Sequence, residues 1–234
     1  VINTHWHVDH HVGNSAYRSA FGQDVVLISH DHTRRDIPTL GAEQFALVAD
    51  YRANPVTAAD NALDAGINSD GETLNVHQLA AVIAFRNEQQ RFVDKASYDY
   101  LLADLTFDRS ITLHGNERRV EVFFLHPAHT ESDSIVYVPD AEVLIVGDLL
   151  TKPILWSWSS YPAAYAKTLL ELEELPVTKI LIGHGGPILD GKSYLSQVRR
   201  FLQAVVAHVE RTEPADAESI ASQATDNPDI EAFR

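Results

Sequence analysis

The sequence predicts an α/β fold built as one domain over residues 1–234. Three observations lead there. Short runs of β-branched and apolar residues recur along the chain, as buried strands require. Two later stretches place apolar residues at helical spacing. The residues able to do chemistry fall beside the apolar runs, where strand ends deliver their loops. Taken in order, Val1-Ile2-Asn3 reads as the end of a strand, Ser15 to Phe21 as a short helix and Val25 to Ser29 as a buried strand. A further helix is expected to begin around Arg34, Arg35 and Asp36. Residues 38 to about 107 change character, with Ala, Leu, Glu and Gln dominant. They read as a helical insertion of two or three helices, broken near Asn54-Pro55 and near Asn68-Ser69-Asp70-Gly71. That insertion is either a structural layer or a cap over the mouth of a site. Ile111 to His114, Val120 to Leu125, Ser134 to Val138 and Val143 to Val146 read as four short strands, with turns at Asn116 and at Pro139-Asp140. Ala163 to Leu175 is an amphipathic helix and Lys179 to Ile182 the last clear strand. Tyr194 to Glu210 is a helix with Leu195, Val198, Phe201, Leu202 and Val205 on one face. Residues 212–234 turn acidic and polar, and read as a loose helix or a disordered tail.

Composition narrows the function. The chain of 234 residues is long enough to bury a real core. Its formal charge of -15 opposes a nucleic-acid surface, which needs basic patches against phosphate, and opposes acidic membranes. The expected partner is a small molecule. There is no cysteine, hence no disulfide framework. No apolar run reaches the length of a membrane-spanning helix.

The densest chemistry is His5-Trp6-His7-Val8-Asp9-His10, four candidate metal ligands within six residues. Imidazole and carboxylate are what zinc accepts when thiolate is absent. On a turn, His5 and His7 can face one ion while Asp9 and His10 face a neighbour. A second cluster reads His126-Pro127-Ala128-His129-Thr130-Glu131-Ser132-Asp133, a third Val146-Gly147-Asp148-Leu149-Leu150, and a fourth Ile182-Gly183-His184-Gly185-Gly186-Pro187.

These four motifs, in this order between residues 5 and 184, resemble those of the metallo-β-lactamase superfamily. The resemblance covers nearly the whole chain and is closest to a bacterial-type branch. It implies an αββα sandwich, two sheets face to face with helices outside and the metal loops at one edge. Members carry several strands ahead of the first motif, so the chain is expected to lack its N-terminal strands. A strand-swapped homodimer is one way to replace them. By motif matching, His5, His7 and His129 would bind one metal, Asp9, His10 and His184 a second, and Asp148 would bridge them. The implied cofactor is Zn²⁺, two per chain, with iron or manganese as alternatives. Two ions about 3.5 Å apart acidify a bridging water, whose hydroxide attacks an electrophilic carbonyl. Asp9 would orient that nucleophile or take its proton, which makes Asp9 and Asp148 the expected catalytic residues.

The resemblance thus implies a dinuclear zinc hydrolase of an ester, lactone, thioester or lactam. Asp148 stands where some β-lactamases carry Cys, and is shared with thioesterases of the glyoxalase II type and with lactonases. A β-lactamase proper and a non-catalytic fragment of such an enzyme are the alternatives. His7 replaces the Glu of the di-iron flavoprotein branch, which counts against redox chemistry; a mono-iron sulfur dioxygenase branch shares the first motif. After Asp148, Lys152, Trp156, Trp158 and Tyr161 are candidate pocket residues, Lys152 as partner of a substrate carboxylate. His11, His126, Thr130 and Asp133 are candidates for support behind the ligands. His30, His32, His77, His114 and His208 read as structural.

Overall fold

The computed structural model describes residues 1–68, 71–94, 100–152, 155–186 and 188–211. The expected acidic tail lies outside the described residues, as do Ser69 and Asp70 of the second expected break. Eight strands and six α-helices are found among those described. A 3-10 turn at Val8–His10 precedes helix α1 (Asn14–Phe21). Strand β1 (Ile28–His30) leads into α2 (Asp31–Asp36), and a π turn at Ile37–Gly41 joins this to α3 (Ala42–Ala65). Helix α4 (Val76–Asp94) completes a helical pair. Strands β2 (Leu105–Phe107), β3 (Ser110–His114), β4 (Arg119–Phe123), β5 (Ile135–Val138) and β6 (Val143–Ile145) follow. The chain then runs through α5 (Pro162–Glu173), β7 (Lys179–Leu181), β8 (Ile188–Asp190) and α6 (Ser193–Arg211).

The strands form two sheets. β1 pairs with β2 in parallel, and Ile2 adds a bridge to Ile28. The other sheet has the order β3-β4-β5-β6-β7-β8 and is antiparallel except where β6 meets β7. Parallel neighbours need a crossover, and α5 supplies it. Side chains alternate across this sheet. Ile135 and Tyr137 of β5 join Leu144 of β6 and Ile180 of β7 in a core with Leu169 and Leu172 of α5 and Leu195, Val198 and Leu202 of α6. Val136, one residue out of step, instead joins Val122, Ile28 and Phe107 between the two sheets. Each such fully buried aliphatic side chain contributes roughly 1.5–3 kcal/mol. The result is an α/β sandwich with α5 and α6 covering the larger sheet and α2 packing on β1 and β2.

Four expectations need adjusting. The strand expected at Val25–Ser29 is regular only over Ile28–His30, because the Leu27 amide goes to the Asp104 carboxylate (2.8 Å) rather than to a strand. Asn54-Pro55 does not break the insertion; α3 runs through Pro55. Proline there removes an amide donor and normally costs about 3 kcal/mol, but α3 packs along α4, with Val56 and Ala59 buried. Residues 105–107, placed in the helical segment, form β2 against β1. β8, which pairs with β7 in three positions, was too short to read.

Candidate metal centre

Each motif reaches the centre through a defined backbone connection. The first follows the Ile2–Ile28 bridge and ends in the Val8–His10 turn, which carries Asp9 and His10. Asn3 and Asn14 close this loop with reciprocal amide hydrogen bonds of 2.9 Å, both residues buried. The Ser134 amide donates to the Thr4 carbonyl (2.7 Å) and so ties the first motif to the second. In the second motif, Asp133 accepts from the Thr130 amide (2.8 Å) and hydroxyl (3.0 Å), which fixes the turn that carries His129. The third and fourth meet because the β6–β7 ladder continues past its strands: the Val146 amide donates to Leu181 O (3.0 Å), Gly183 N to Gly147 O (2.8 Å) and Lys152 N to His184 O (3.0 Å). A Cβ at Gly183 would lie 1.9 Å from Asp148 Oδ1, so only glycine admits the carboxylate there. Tyr165 donates from its hydroxyl to the carbonyls of Asp148 (3.2 Å) and Leu149 (2.6 Å), fixing the other side of that turn.

Two groups of candidate ligands result. His5, His7, His129 and Asp148 form one and are all buried; Asp9, His10 and His184 form the other. Within each, the ligand atoms lie within 4.8 Å of one another. Asp148 stands between them. Its Oδ2 is 3.9 Å from His5 Nε2, 3.6 Å from His129 Nε2 and 3.5 Å from His184 Nε2, and its Oδ1 is 3.3 Å from His10 Nε2.

The donor set fits a divalent cation. Lone-pair atoms converge on one another, His129 Nε2 on His7 Nδ1 at 3.1 Å and His10 Nε2 on His184 Nε2 at 3.3 Å. His5 Nε2 and Asp148 Oδ1 are buried without a well-aligned hydrogen bond among the described residues. Leaving such atoms unpaired costs about 1–3 kcal/mol each, and a cation between them would satisfy both. The outer ring nitrogens are already used. His129 Nδ1–H donates to the Trp156 carbonyl (2.9 Å) and His7 Nε2–H to Ser159 Oγ (3.2 Å), whose own proton goes to His129 O (3.0 Å). His5 Nδ1 lies 3.0 Å from Thr4 Oγ1. These partners select the tautomers that leave His129 Nε2, His7 Nδ1 and His5 Nε2 free to ligate.

Protonation follows burial. Desolvation, reinforced by His10, His129 and His7, holds His5 well below the usual histidine range. Desolvation and the neighbouring His129 bring His7 down to about 3. Both are therefore neutral, as ligands must be. For His10, burial acts downward, but hydrogen bonds and charge from Asp148 and Asp9 outweigh it and raise it to about 9, so its imidazole holds a proton between the two carboxylates that a bound cation would have to displace. For Asp9, burial acts upward and is outweighed by His10 and His184, so the carboxyl is held below the usual range and is ionised.

A cavity of about 680 Å³ opens beside the second group. Val8, Asp9, Val12 and Gly13 of the first loop form its floor. The insertion forms its walls: Gln44, Phe45, Val48, Tyr51 and Pro55 from α3, and Phe85 and Gln89 from α4. Gln44 Oε1 also accepts from the Val8 amide (2.8 Å). Of the two readings of the insertion, the structure places it as a wall of the cavity at the metal loop. Trp156 lines the cavity and stacks on His184 with ring centroids 4.8 Å apart.

The other candidates lie elsewhere. Trp158 stacks on His7 at 4.8 Å and meets Trp6 edge-on; it is exposed and is not among the described residues lining the cavity. Tyr161 is exposed and its amide donates to Ala128 O (2.8 Å). Lys152 places its ammonium 4.7 Å from the Tyr194 ring centroid and is not among the described residues lining the cavity. His126 faces α5, with Nε2 2.8 Å from Glu171 and its carbonyl accepting from the Thr168 hydroxyl (3.1 Å). Thr130 and Asp133 hold the loop, while the His129 ring itself is oriented by the Trp156 carbonyl. His11 is buried and bonded to the Trp6 backbone, outside both ligand groups. Asn3, Thr4, Ser159 and Tyr165 are supporting residues that the motifs did not reveal; isolated hydroxyl and amide side chains in loops give no spacing signal.

The fold matches known proteins. Three solved structures superpose on most of the chain. A metallo-beta-lactamase from Pontibacter korlensis is 20% identical with a TM-score of 0.53, over 86% of this chain and 67% of its own. The mono-zinc form of the metallo-beta-lactamase FIM-1 from Pseudomonas aeruginosa is 14% identical with a TM-score of 0.53, over 86% and 65%. A metallo-beta-lactamase family protein from Thermus thermophilus is 19% identical with a TM-score of 0.54, over 99% and 69%. The chain thus spans about two thirds of the length of the structures it resembles. A family profile described as the metallo-beta-lactamase superfamily matches residues 1–184, the segment that holds both ligand groups and the carboxylate between them. With ordered motifs, sandwich and profile all in agreement, the chain belongs to the metallo-beta-lactamase superfamily.

Proposed function

We propose that the protein is a dinuclear metal-dependent hydrolase acting on a small carbonyl compound, an ester, lactone, thioester or lactam, with zinc as its metal. The observation that carries this reading is the position of Asp148, within 3.9 Å of imidazole nitrogens from both ligand groups. His5, His7, His129 and Asp148 would hold one ion, and Asp9, His10, His184 and the same Asp148 the other. When bound, a pair of divalent ions supplies Lewis acidity and acidifies water towards neutral pH.

The chain's own residues do the rest. Buried, neutral His5 and His7 keep the inner side of the site dry and fixed. Asp9 lines the cavity with its side chain 45% exposed, and its Oδ2 lies near His10 and His184. Its other oxygen is assigned to orienting the attacking water and accepting its proton. Trp156 covers His184 and limits water on that side.

Elemental analysis of purified protein, paired with a panel of chromogenic esters, lactones, thioesters and a cephalosporin, tests the reading. Bound zinc is expected, together with turnover of at least one class that disappears on chelation and returns with zinc. A cephalosporin belongs in the panel because solved structures described as metallo-beta-lactamases share this fold. A folded protein that takes up no metal and turns over none of the panel would refute it.

A further inference from the structure

We infer that the cavity between the first metal loop and the helical insertion is an acyl-binding pocket selective for uncharged, apolar substrates. This deepens the hydrolase reading, on which the substrate part of the inference rests; the binding part does not depend on it. At about 680 Å³ the cavity falls within the range of about 300–1,000 Å³ of pockets that bury a drug-sized ligand. Beyond the metal loop its walls are mainly apolar: Phe45, Val48, Tyr51 and Pro55 on α3 face Phe85 on α4, with Trp156 at the metal end and the amides of Gln44 and Gln89 as neutral polar exceptions.

The charges make the pocket selective. Asp9 is the one charged side chain among the described lining residues, and no Lys or Arg is among them. Lys152, the nearest basic residue in sequence to the aromatic loop, lies over the Tyr194 ring. Arg86, next to Phe85 on α4, donates to Asp60 on α3 at 2.9 Å. A substrate carboxylate in the distal part of this pocket, away from the metal loop, would lose water with no cation among the described lining residues to replace it, which is unfavourable. An alkyl or aryl group there loses nothing and buries apolar surface. The pocket therefore takes the uncharged tail of an ester or lactone, and the scissile carbonyl lies at the Asp9 end.

The test uses two matched pairs on the zinc-loaded protein. N-phenyl-1-naphthylamine and 8-anilinonaphthalene-1-sulfonate share one skeleton and differ by a sulfonate; their fluorescence reports binding without any turnover. The neutral probe is expected to bind about tenfold or more tighter than the anionic one. p-Nitrophenyl esters from acetate to hexanoate should gain about fourfold in kcat/KM per methylene, the factor that burial of one methylene confers. The ω-carboxylate counterpart of the hexanoate should fall about tenfold or more below it. Phe85 is 47% exposed, so Phe85→Lys is compatible with the fold, which circular dichroism checks. That variant should narrow both the probe ratio and the ester ratio by admitting the anion. Equal binding of the two probes, or probe and ester ratios that Phe85→Lys leaves unmoved, would overturn the pocket assignment. A flat ester ladder with intact turnover would also overturn it while the hydrolase reading stands. Selective probe binding with no ester, lactone, thioester or cephalosporin hydrolysed would support the pocket and overturn the hydrolase reading.

Discussion

The two ligand groups are made of the same residue types but are held in different ways. His5, His7, His129 and Asp148 are buried, while Asp9 is exposed and His10 and His184 are half-buried. Each imidazole of the buried group has a protein atom at its outer nitrogen: Thr4 Oγ1, Ser159 Oγ or the Trp156 carbonyl. The open group leans on itself, with Asp9 Oδ2 2.9 Å from His184 Nε2 and 3.3 Å from His10 Nε2. The buried group is therefore shaped before any ion arrives. The open group can shift, and it faces the cavity. Rigid placement favours tight retention, and the looser, wetter side is where ligands can exchange.

The largest effect should come from the residue both groups share. Asp148→Ala is expected to lose both ions and all measurable turnover, read by elemental analysis alongside an ester assay. A variant that keeps its full metal content would abolish the distinction between a shared and a private ligand. Asp9→Ala should separate the groups. It is expected to lose one equivalent of metal, keep the other, and fall about 10²–10⁴-fold in kcat through the missing proton acceptor. Loss of both equivalents in a metal titration would show that the groups are not independent. Ser159→Ala should act on the buried group alone, weakening its zinc affinity about 10–100-fold with unchanged stoichiometry, measured by competition with a chromophoric chelator. If the more weakly held ion is the one affected, the assignment of Ser159 to the buried group is wrong.

The smallest effect lies outside both groups and calibrates them. His30 caps α2 by accepting the His32 amide at Nδ1 (3.1 Å), and its Nε2–H donates to Asp108 O (2.7 Å). Burial, the largest influence, lowers its pKa from the ordinary 6.5. The unfolded chain therefore binds this proton more readily than the folded one. The contribution to stability is full above about pH 6.5 and is lost as pH falls from there through the folded-state value. His30→Ala should cost about 1 kcal/mol as a lost cap and flatten that acid slope in urea midpoints. Metal content at neutral pH should not change; a change would mean that α2 and the ligand loops are coupled.

The ligand motifs were legible because metal chemistry restricts residue type and spacing together: His5, His7, Asp9 and His10 cannot be read as routine strand or helix residues. The four strands from residue 110 to 145 were legible through their β-branched runs, and α5 and α6 through their apolar faces. The supports were not. The group orienting His129 is a backbone carbonyl, which any residue at 156 would offer, and Ser159 is one hydroxyl among several in its loop. Pro55 misled because local propensity argues for a break, and only the packing of α3 on α4 overrides it. Lys152 looked available from its place after Asp148. Sequence position cannot show that its ammonium is turned onto Tyr194.

The hydrogen bond from the Val8 amide to Gln44 spans 36 residues and fastens the insertion to the backbone between His7 of the buried group and Asp9 of the open one. The helical wall and the loop that forms the floor are therefore one mechanical unit at that point. Displacing that wall would tug on the ligand loop beside it. Anyone grafting this helical segment onto a relative to transplant selectivity would have to carry the glutamine with it.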